Sequence, residues 1–342
     1  MPETPLVSIV LPVYNTEKYI KRCLDSIVID DVIDDIEILI ISDGSKDNAI
    51  NIAKEYNKKY PKSVIIVEKE NGGHGSTINK GLEIASGKYF RVLDSDDWFN
   101  CKDFIEYIKR LKKEDCDLVV TNYSQEHIYN NESIYLKYKD LKDNKLYDFD
   151  KMDLNLLNGE YFVMATSTYK TELLRKSNLK LYEKMFYVDM QYNMVAFSLV
   201  KTIKFYDLSV YRYFIGRKDQ SNNFTSLVKN QDNHEKVMRF MIEYYTNNFD
   251  DFSKNKKEYY SMIIYYMLYT HYSIYCVYDK NHKLAYQKIK KFDEYLKQKN
   301  TDLYNKSNIG IIKANRKTNF VFTEINGGKF KKMITFLNLL RR

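Results

Sequence analysis

ENGGHGSTINKGLEIASGKYFRVLDSDDW, residues 70–98, is the stretch from which the fold is read. The glycine loop Gly72-Gly73-His74-Gly75 opens a helix that runs through Ala85. Tyr89–Leu93 then reads as a short buried strand. It ends in Asp94-Ser95-Asp96-Asp97, with three carboxylates in four residues. Such a cluster is costly unless a cation or hydrogen-bond donors offset the repulsion. Hard oxygen ligands at that density suit Mg²⁺ or Mn²⁺ bridging a diphosphate. The competing reading is a solvated acidic turn that caps the next helix.

Upstream the same pattern repeats. Val7–Val13 is a β-branched run ending at Tyr14-Asn15, and Ile36–Ile41 is another, closed by Ser42-Asp43-Gly44-Ser45. Val64–Val67 is a further short strand. Between them, Glu17–Val28 carries Ile20, Leu24 and Ile27 at helical spacing, and Asp47–Tyr60 carries Ile50, Ala53 and Tyr56. Strands alternating with helices at short spacing predict an α/β fold, a mostly parallel sheet covered on both faces. In such sheets a ligand sits at the carboxyl ends of the strands, where Tyr14, Asp43 and Asp94 all fall.

Beyond the acidic cluster the pattern loosens. Leu118–Thr121 reads as a strand, 125–139 as a hairpin, 162–169 as a strand and 171–177 as a short helix. Val188–Leu199 reads as a helix, with extended segments at 202–206 and 209–214. After Phe224 helices dominate, at about 227–248, 255–279 and 283–299. The expected organisation is an α/β domain over 1–224 and a helical subdomain over 225–342.

Composition narrows the class. With 44% hydrophobic and 29% charged residues, the chain is not disordered, and 11 Gly and 4 Pro exclude collagen-like or Pro-rich scaffolds. Cys23, Cys101, Cys116 and Cys276 have no metal-site or disulfide spacing, which fits a reducing cytoplasm. No signal peptide is evident at the start. Tyr259–Tyr278 lacks Asp, Glu, Lys and Arg, but its eight Tyr make it a buried helix rather than a membrane span.

VSIVLPVYN (7–15), the Asp43-Gly44-Ser45 turn and residues 70–98, in that order, resemble the inverting family 2 glycosyltransferases of the GT-A fold, of the bacterial surface-polysaccharide type. The resemblance is strong over about 7–100 and looser to about Asn222. It implies a nucleotide-sugar donor, commonly a UDP-sugar, held through Mn²⁺ or Mg²⁺, and transfer to a glycan, glycolipid or teichoic-acid-type acceptor. Pro12 and Tyr14 match the first-strand loop, with the Tyr on the base. Asp43 matches the acceptor for the uracil NH. Gly73 and Asn79 match the segment lining the nucleotide. Asp94-Ser95-Asp96 matches the DxD motif, with Asp96 and Asp94 serving the metal and ribose, and Asp97 extends it toward the donor sugar. Two departures bear on the nucleotide: Ser42 stands where many members have an acid, and Thr77-Ile78-Asn79 replaces Ala-Arg-Asn.

The resemblance also implies a catalytic base in an acidic dipeptide opening a helix. Phe186–Gln191 matches that segment, with Val188 where Glu is usual and Asp189 as the base. The competing reading of Asp189 is an ordinary helix cap. In 211–221, Arg212 or Arg217 would cover the diphosphate. His74 either reaches the site or caps its helix. Trp98 either stacks on a sugar or packs in the core.

Charge adds a second theme. The net charge is +8, but from Thr225 onward there are 22 Lys and Arg against 11 Asp and Glu. The tail GGKFKKMITFLNLLRR has an apolar face flanked by Lys and Arg, which suits an anionic membrane surface on the cytoplasmic side. Packing on the chain itself or on a second subunit, as a homo-oligomer, is the other reading. A nucleotidyltransferase would need a basic Gly-rich signature near the first strand, which is lacking. A basic nucleic-acid-binding protein would leave the acidic cluster unexplained, so no nucleic acid partner is expected.

Overall fold

The structure is a computed structural model and describes residues 4–127, 129–216, 224–321 and 323. It divides into two compact units, Met1–Arg217 and Lys218–Arg342.

The first unit is built on one ten-stranded sheet. Its strands are β1 (Val7–Val13), β2 (Ile36–Asp43), β3 (Val64–Lys69), β4 (Tyr89–Val92), β5 (Trp98–Phe99), β6 (Leu118–His127), β7 (Glu132–Leu136), β8 (Lys145–Asp148), β9 (Ser167–Lys170) and β10 (Thr202–Ile215). The order is β3-β2-β1-β4-β9-β6-β10-β5, with β7 on β6 and β8 on β10. Pairing is parallel across β3-β2-β1-β4, the half where strands alternate with helices. Beyond it the sheet is mixed: β9 is antiparallel to both β4 and β6, while β6 and β10 run parallel.

Helices α1 (Ile20–Asp25), α2 (Ala49–Lys59), α3 (His74–Ile84) and α4 (Cys101–Leu111) cover the parallel half. Val7, Ile9, Leu11 and Val13 of β1 share one core with Cys23, Leu24, Ala53, Phe104 and Ile108. On the opposite face α3 approaches so closely that a Cβ at Gly81 would lie 2.5 Å from Val10 Cγ1. Every residue of β1 and β2 is therefore buried, which is why both read as unbroken apolar runs rather than alternating ones.

Three details depart from the sequence reading. α4, capped by the Asn100 side chain on Asp103 N–H, burying Phe104, Tyr107, Ile108 and Leu111, was not anticipated. The expected strand over 162–169 is confined to β9, because the hydroxyls of Thr166 and Ser167 donate to the Val163 carbonyl and turn the backbone first. The two extended segments near 202–214 are one strand, β10, irregular between Tyr206 and Ser209. The short helices α5 (Thr171–Lys176) and α6 (Val188–Phe197) complete this unit.

The second unit is helical: α7 (Phe224–Lys229), α8 (Gln231–Asn247), α9 (Lys254–Ser273), α10 (His282–Lys299), α11 (Thr301–Lys306) and α12 (Gly310–Lys317). Among the described residues no helix is long and apolar enough to cross a membrane. The Tyr-rich α9 is instead a core helix that buries Tyr259, Tyr260 and Tyr272. Tyr245 pairs with Ser261 at 3.0 Å, and Tyr272 donates to Asp293, which also pairs with Arg316 at 2.7 Å. The basic tail 330–342 lies outside the described residues.

His234 on α8 and His271 on α9 meet in this core, Nδ1 to Nδ1 at 3.0 Å, so one ring donates and the other accepts. Phe292 and Tyr275 pack on His271. Burial pushes His234 down to about 4. Burial, then His234 and Arg239, hold His271 well below the usual imidazole range. Folded pKa values below the unfolded value mean that unfolding takes up protons. The stability is thus present above about pH 6.5 and lost as pH falls toward 4. Urea unfolding should show a loss on the order of 3 kcal/mol over that window for His234 alone. A double variant, His234→Leu with His271→Phe, should flatten that part of the profile.

Candidate active site

The carboxyl ends of β2, β1 and β4 lie side by side, with Val13 opposite Ser42 and Val10 opposite Val92. The acidic residues follow β4 in a tight turn closed by Asp97 N–H on the Asp94 carbonyl at 3.0 Å. Ser95 Oγ donates to the Pro12 carbonyl at 2.7 Å and meets Thr16 Oγ1 at 3.1 Å, tying the turn to the end of β1. Arg22 on α1 donates to the Asp96 carbonyl at 2.8 Å. Alternate side chains leave the turn in opposite directions. Ser95 and Asp97 are buried, while Asp94 and Asp96 are half-buried and border solvent.

Asp97, expected to extend toward the donor sugar, instead turns into the sheet. It is fully buried, accepting from the Tyr211 hydroxyl at 2.5 Å and from Phe214 N–H at 2.8 Å, both on β10. Burial first, then the charges of Asp96 and Asp94, push its pKa well up. The hydrogen bonds from β10 oppose that shift without cancelling it.

Asp43, at the end of β2, organises the glycine loop. Its Oδ1 accepts from Gly72 N–H (2.8 Å) and Lys69 Nζ (2.9 Å), and its Oδ2 from Gly73 N–H (2.7 Å). The carboxylate implied for the uracil NH is thus engaged by its own loop. Gly73 has φ +81°, and a Cβ there would lie 3.0 Å from Lys184 N, so the position demands glycine. Asn79 does not offer its amide to the cleft. It pairs with both backbone groups of Leu181, at 2.9 and 2.8 Å, holding the chain that leads to α6 against α3. Pro12 is buried within β1, and the Tyr14 ring is 51% exposed at its end.

His74 does reach the site: Nε2 lies 2.8 Å from Asp94 Oδ1. Burial pulls its pKa down, but Asp94, with Asp189 and Asp96 beyond, outweighs this and raises it overall. Asp189 sits in the first turn of α6, after Lys184 and Tyr187, two non-glycine residues with left-handed backbone. Such strain concentrates where surrounding structure fixes a functional geometry. Burial raises the Asp189 pKa, His74 opposes the shift, and Asp94 adds to it. Asp94, His74 and Asp189 thus form one electrostatic array.

Of the two arginines expected over the diphosphate, one is among the described residues. Arg212 is buried on β10, donating to Ser124 Oγ at 2.6 Å and pairing with Glu126 at 3.2 Å, so its charge is committed to β6 rather than to a diphosphate. Arg217 lies outside the described residues. Arg22, unremarked in the sequence, stacks 3.7 Å over Trp98 and 4.5 Å over Phe214. Trp98 accordingly gives its face to a guanidinium. Arg22 is a polar residue on an otherwise ordinary amphipathic helix, and nothing in the spacing sets it apart.

Residues 8–177 match the family model "Glycosyl transferase family 2". This region is a family 2 glycosyltransferase domain. The "Putative glycosyltransferase EpsH" of Bacillus subtilis is 43% identical over 124 residues, 36% of this chain and 35% of that protein. The "Poly(ribitol-phosphate) beta-glucosyltransferase" of Bacillus spizizenii is 35% identical over 117 residues, 33% of this chain and 18% of that protein. The aligned region is thus about a third or less of these relatives' own length. A crystal structure of S. aureus TarS 1-349 in complex with UDP-GlcNAc superposes with a TM-score of 0.64, covering 91% of this chain and 92% of that one at 16% identity. The likeness extends the GT-A fold, with its helical C-terminal region, over most of the chain.

The glycosyltransferase domain has a donor set suited to a hard divalent ion. Among the described residues no three His, Cys, Asp or Glu side chains converge to hold a metal alone. Asp94 and Asp96 would supply one or two oxygens, and Mg²⁺ or Mn²⁺ would take the rest from water and substrate phosphate, as such ions commonly do.

The Asp97 clamp makes a direct prediction. Tyr211→Phe deletes one donor to a buried carboxyl and should cost about 1–3 kcal/mol in urea unfolding. Arg212→Ala should lower stability without changing donor KM in a transfer assay.

Proposed function

We propose that the chain is a metal-dependent inverting glycosyltransferase. It moves a hexose or N-acetylhexosamine from a UDP-sugar to a hydroxyl of a glycan, glycolipid or teichoic-acid-type acceptor. The observation that carries this reading is Asp189, a carboxylate with its pKa raised by burial, in electrostatic reach of Asp94 and His74 at the strand ends. The donor and acceptor classes draw on the UDP-GlcNAc in TarS and on the poly(ribitol-phosphate) enzyme.

In this reading Asp94 and Asp96 would hold the ion, which would supply positive charge to the leaving diphosphate. Tyr14 offers an exposed ring to the base. Asp189 accepts the acceptor hydroxyl's proton as that oxygen bonds to the anomeric carbon and the bond to the diphosphate breaks. One in-line displacement inverts the configuration, and a base with a raised pKa suits the proton transfer. The sheet unit carries this chemistry. The basic tail 330–342, outside the described residues, is proposed to meet an anionic membrane surface on the cytoplasmic side.

Calorimetric titration of UDP with and without Mn²⁺ tests the donor site. Wild type should bind only with the ion, and Asp96→Ala should lose that ion-dependent binding. Absence of UDP binding under any divalent ion would reject the UDP assignment. Asp189→Asn should lower kcat by about 10³-fold or more, with donor affinity within a few-fold of wild type. The acidic limb of the wild-type kcat profile should lie above the ordinary carboxylate range, because Asp189 must be ionised to act.

A further inference from the structure

Both chain neighbours of His74 are glycines, and the backbone around them is pressed against the segment leading to α6. Lys184 N–H donates to the Gly72 carbonyl at 2.5 Å. A Cβ at Gly73 would lie 3.0 Å from Lys184 N, and one at Gly75 would lie 2.2 Å from the Tyr182 carbonyl oxygen. Side chains are thus excluded at 73 and 75, leaving 74 as the position of the three that carries one. The loop is held from below by Asp43 on Gly72 and Gly73 N–H, and from within α3 by Thr77 Oγ1 on the His74 carbonyl at 2.6 Å.

The imidazole is not spent on its own helix: Gly73 is the N-cap, and no side-chain cap bond forms there. Nε2 instead spans 20 residues of chain to Asp94 Oδ1 at 2.8 Å, with the side chain about one-third exposed (35%). His74 is also the one side chain between Gly72 and Asn79 that can carry positive charge. At position 78 the chain has Ile, fully buried in the core.

We propose that His74 is a positioning residue of the donor site: its ring holds Asp94 through Oδ1 in the rotamer that a divalent ion would meet. The inference rests on the metal-dependent reading above and adds a residue to it. A hydrogen-bond partner behind a ligating carboxylate fixes the rotamer that the ion meets, and losing such a partner typically costs about 10–100-fold in metal affinity. The rigid glycine loop makes the arrangement ready before the ion arrives. Its rigidity comes from Asp43, not from the ion site.

The test is Mn²⁺ binding in the presence of UDP, followed by the loss of the free-ion electron paramagnetic resonance signal. His74→Ala and His74→Asn, whose amide is too short to span to Asp94, should each bind Mn²⁺ at least about tenfold more weakly. His74→Gln, whose amide reaches close to the Nε2 position, should stay within about threefold of wild type. Thermal melts of all three should coincide, since a merely structural histidine would move the melt and not respond to Gln rescue. Mn²⁺ affinity unchanged in His74→Ala, or lost equally in the Ala and Gln variants, would overturn the inference while leaving the donor reading intact. A wild type that binds no Mn²⁺ with UDP would overturn both. A wild type that binds it but transfers no sugar would count against the proposed reaction alone.

Discussion

The fully buried carboxyl of Asp97, shared between the Tyr211 hydroxyl and the Phe214 amide, is the constraint on which the site depends. It fastens the turn after β4 to the far strand β10, across the part of the sheet where β9 and β6 intervene. With Asp97 fixed inward, alternation along the turn leaves Asp94 and Asp96 bordering solvent. Three carboxylates in four residues can coexist because one faces inward to partners and the others border solvent.

The second half of the site is built by packing rather than by charge. α3 starts where Asp43 gathers the glycine amides, and its close approach to 181–185 sets where α6 begins. Asn79 reinforces that seam through the backbone of Leu181. Asp189 then takes its place after the left-handed turn at Tyr187, within electrostatic reach of His74 and Asp94. The electrostatic array follows from two glycines and a seam of backbone contacts.

The parallel half of the fold was legible because its strands are buried on both faces and bounded by turn residues, and because each helix carries an apolar stripe. Beyond it, β6, its hairpin with β7 and β10 also fall where extended chain was expected, while three strands were read poorly. β5 is two residues long, β8 is four, and β9 begins only after Thr166 and Ser167 have bent the chain. α4 went unread although Phe104, Tyr107, Ile108 and Leu111 give it a clear face.

The sequence by itself determined that acidic, glycine and aromatic residues gather at adjacent strand ends, since strand order and periodicity bring Tyr14, Asp43 and Asp94 there. Only the tertiary structure decided what each does. Asp43 and Asn79 are committed to loops, Arg212 to Glu126, Asp97 to β10, and His74 to Asp94. The physical reason is that a polar side chain's role is set by the partner that desolvates it. Here those partners lie about 20 to more than 100 residues away in sequence, beyond the reach of any local pattern.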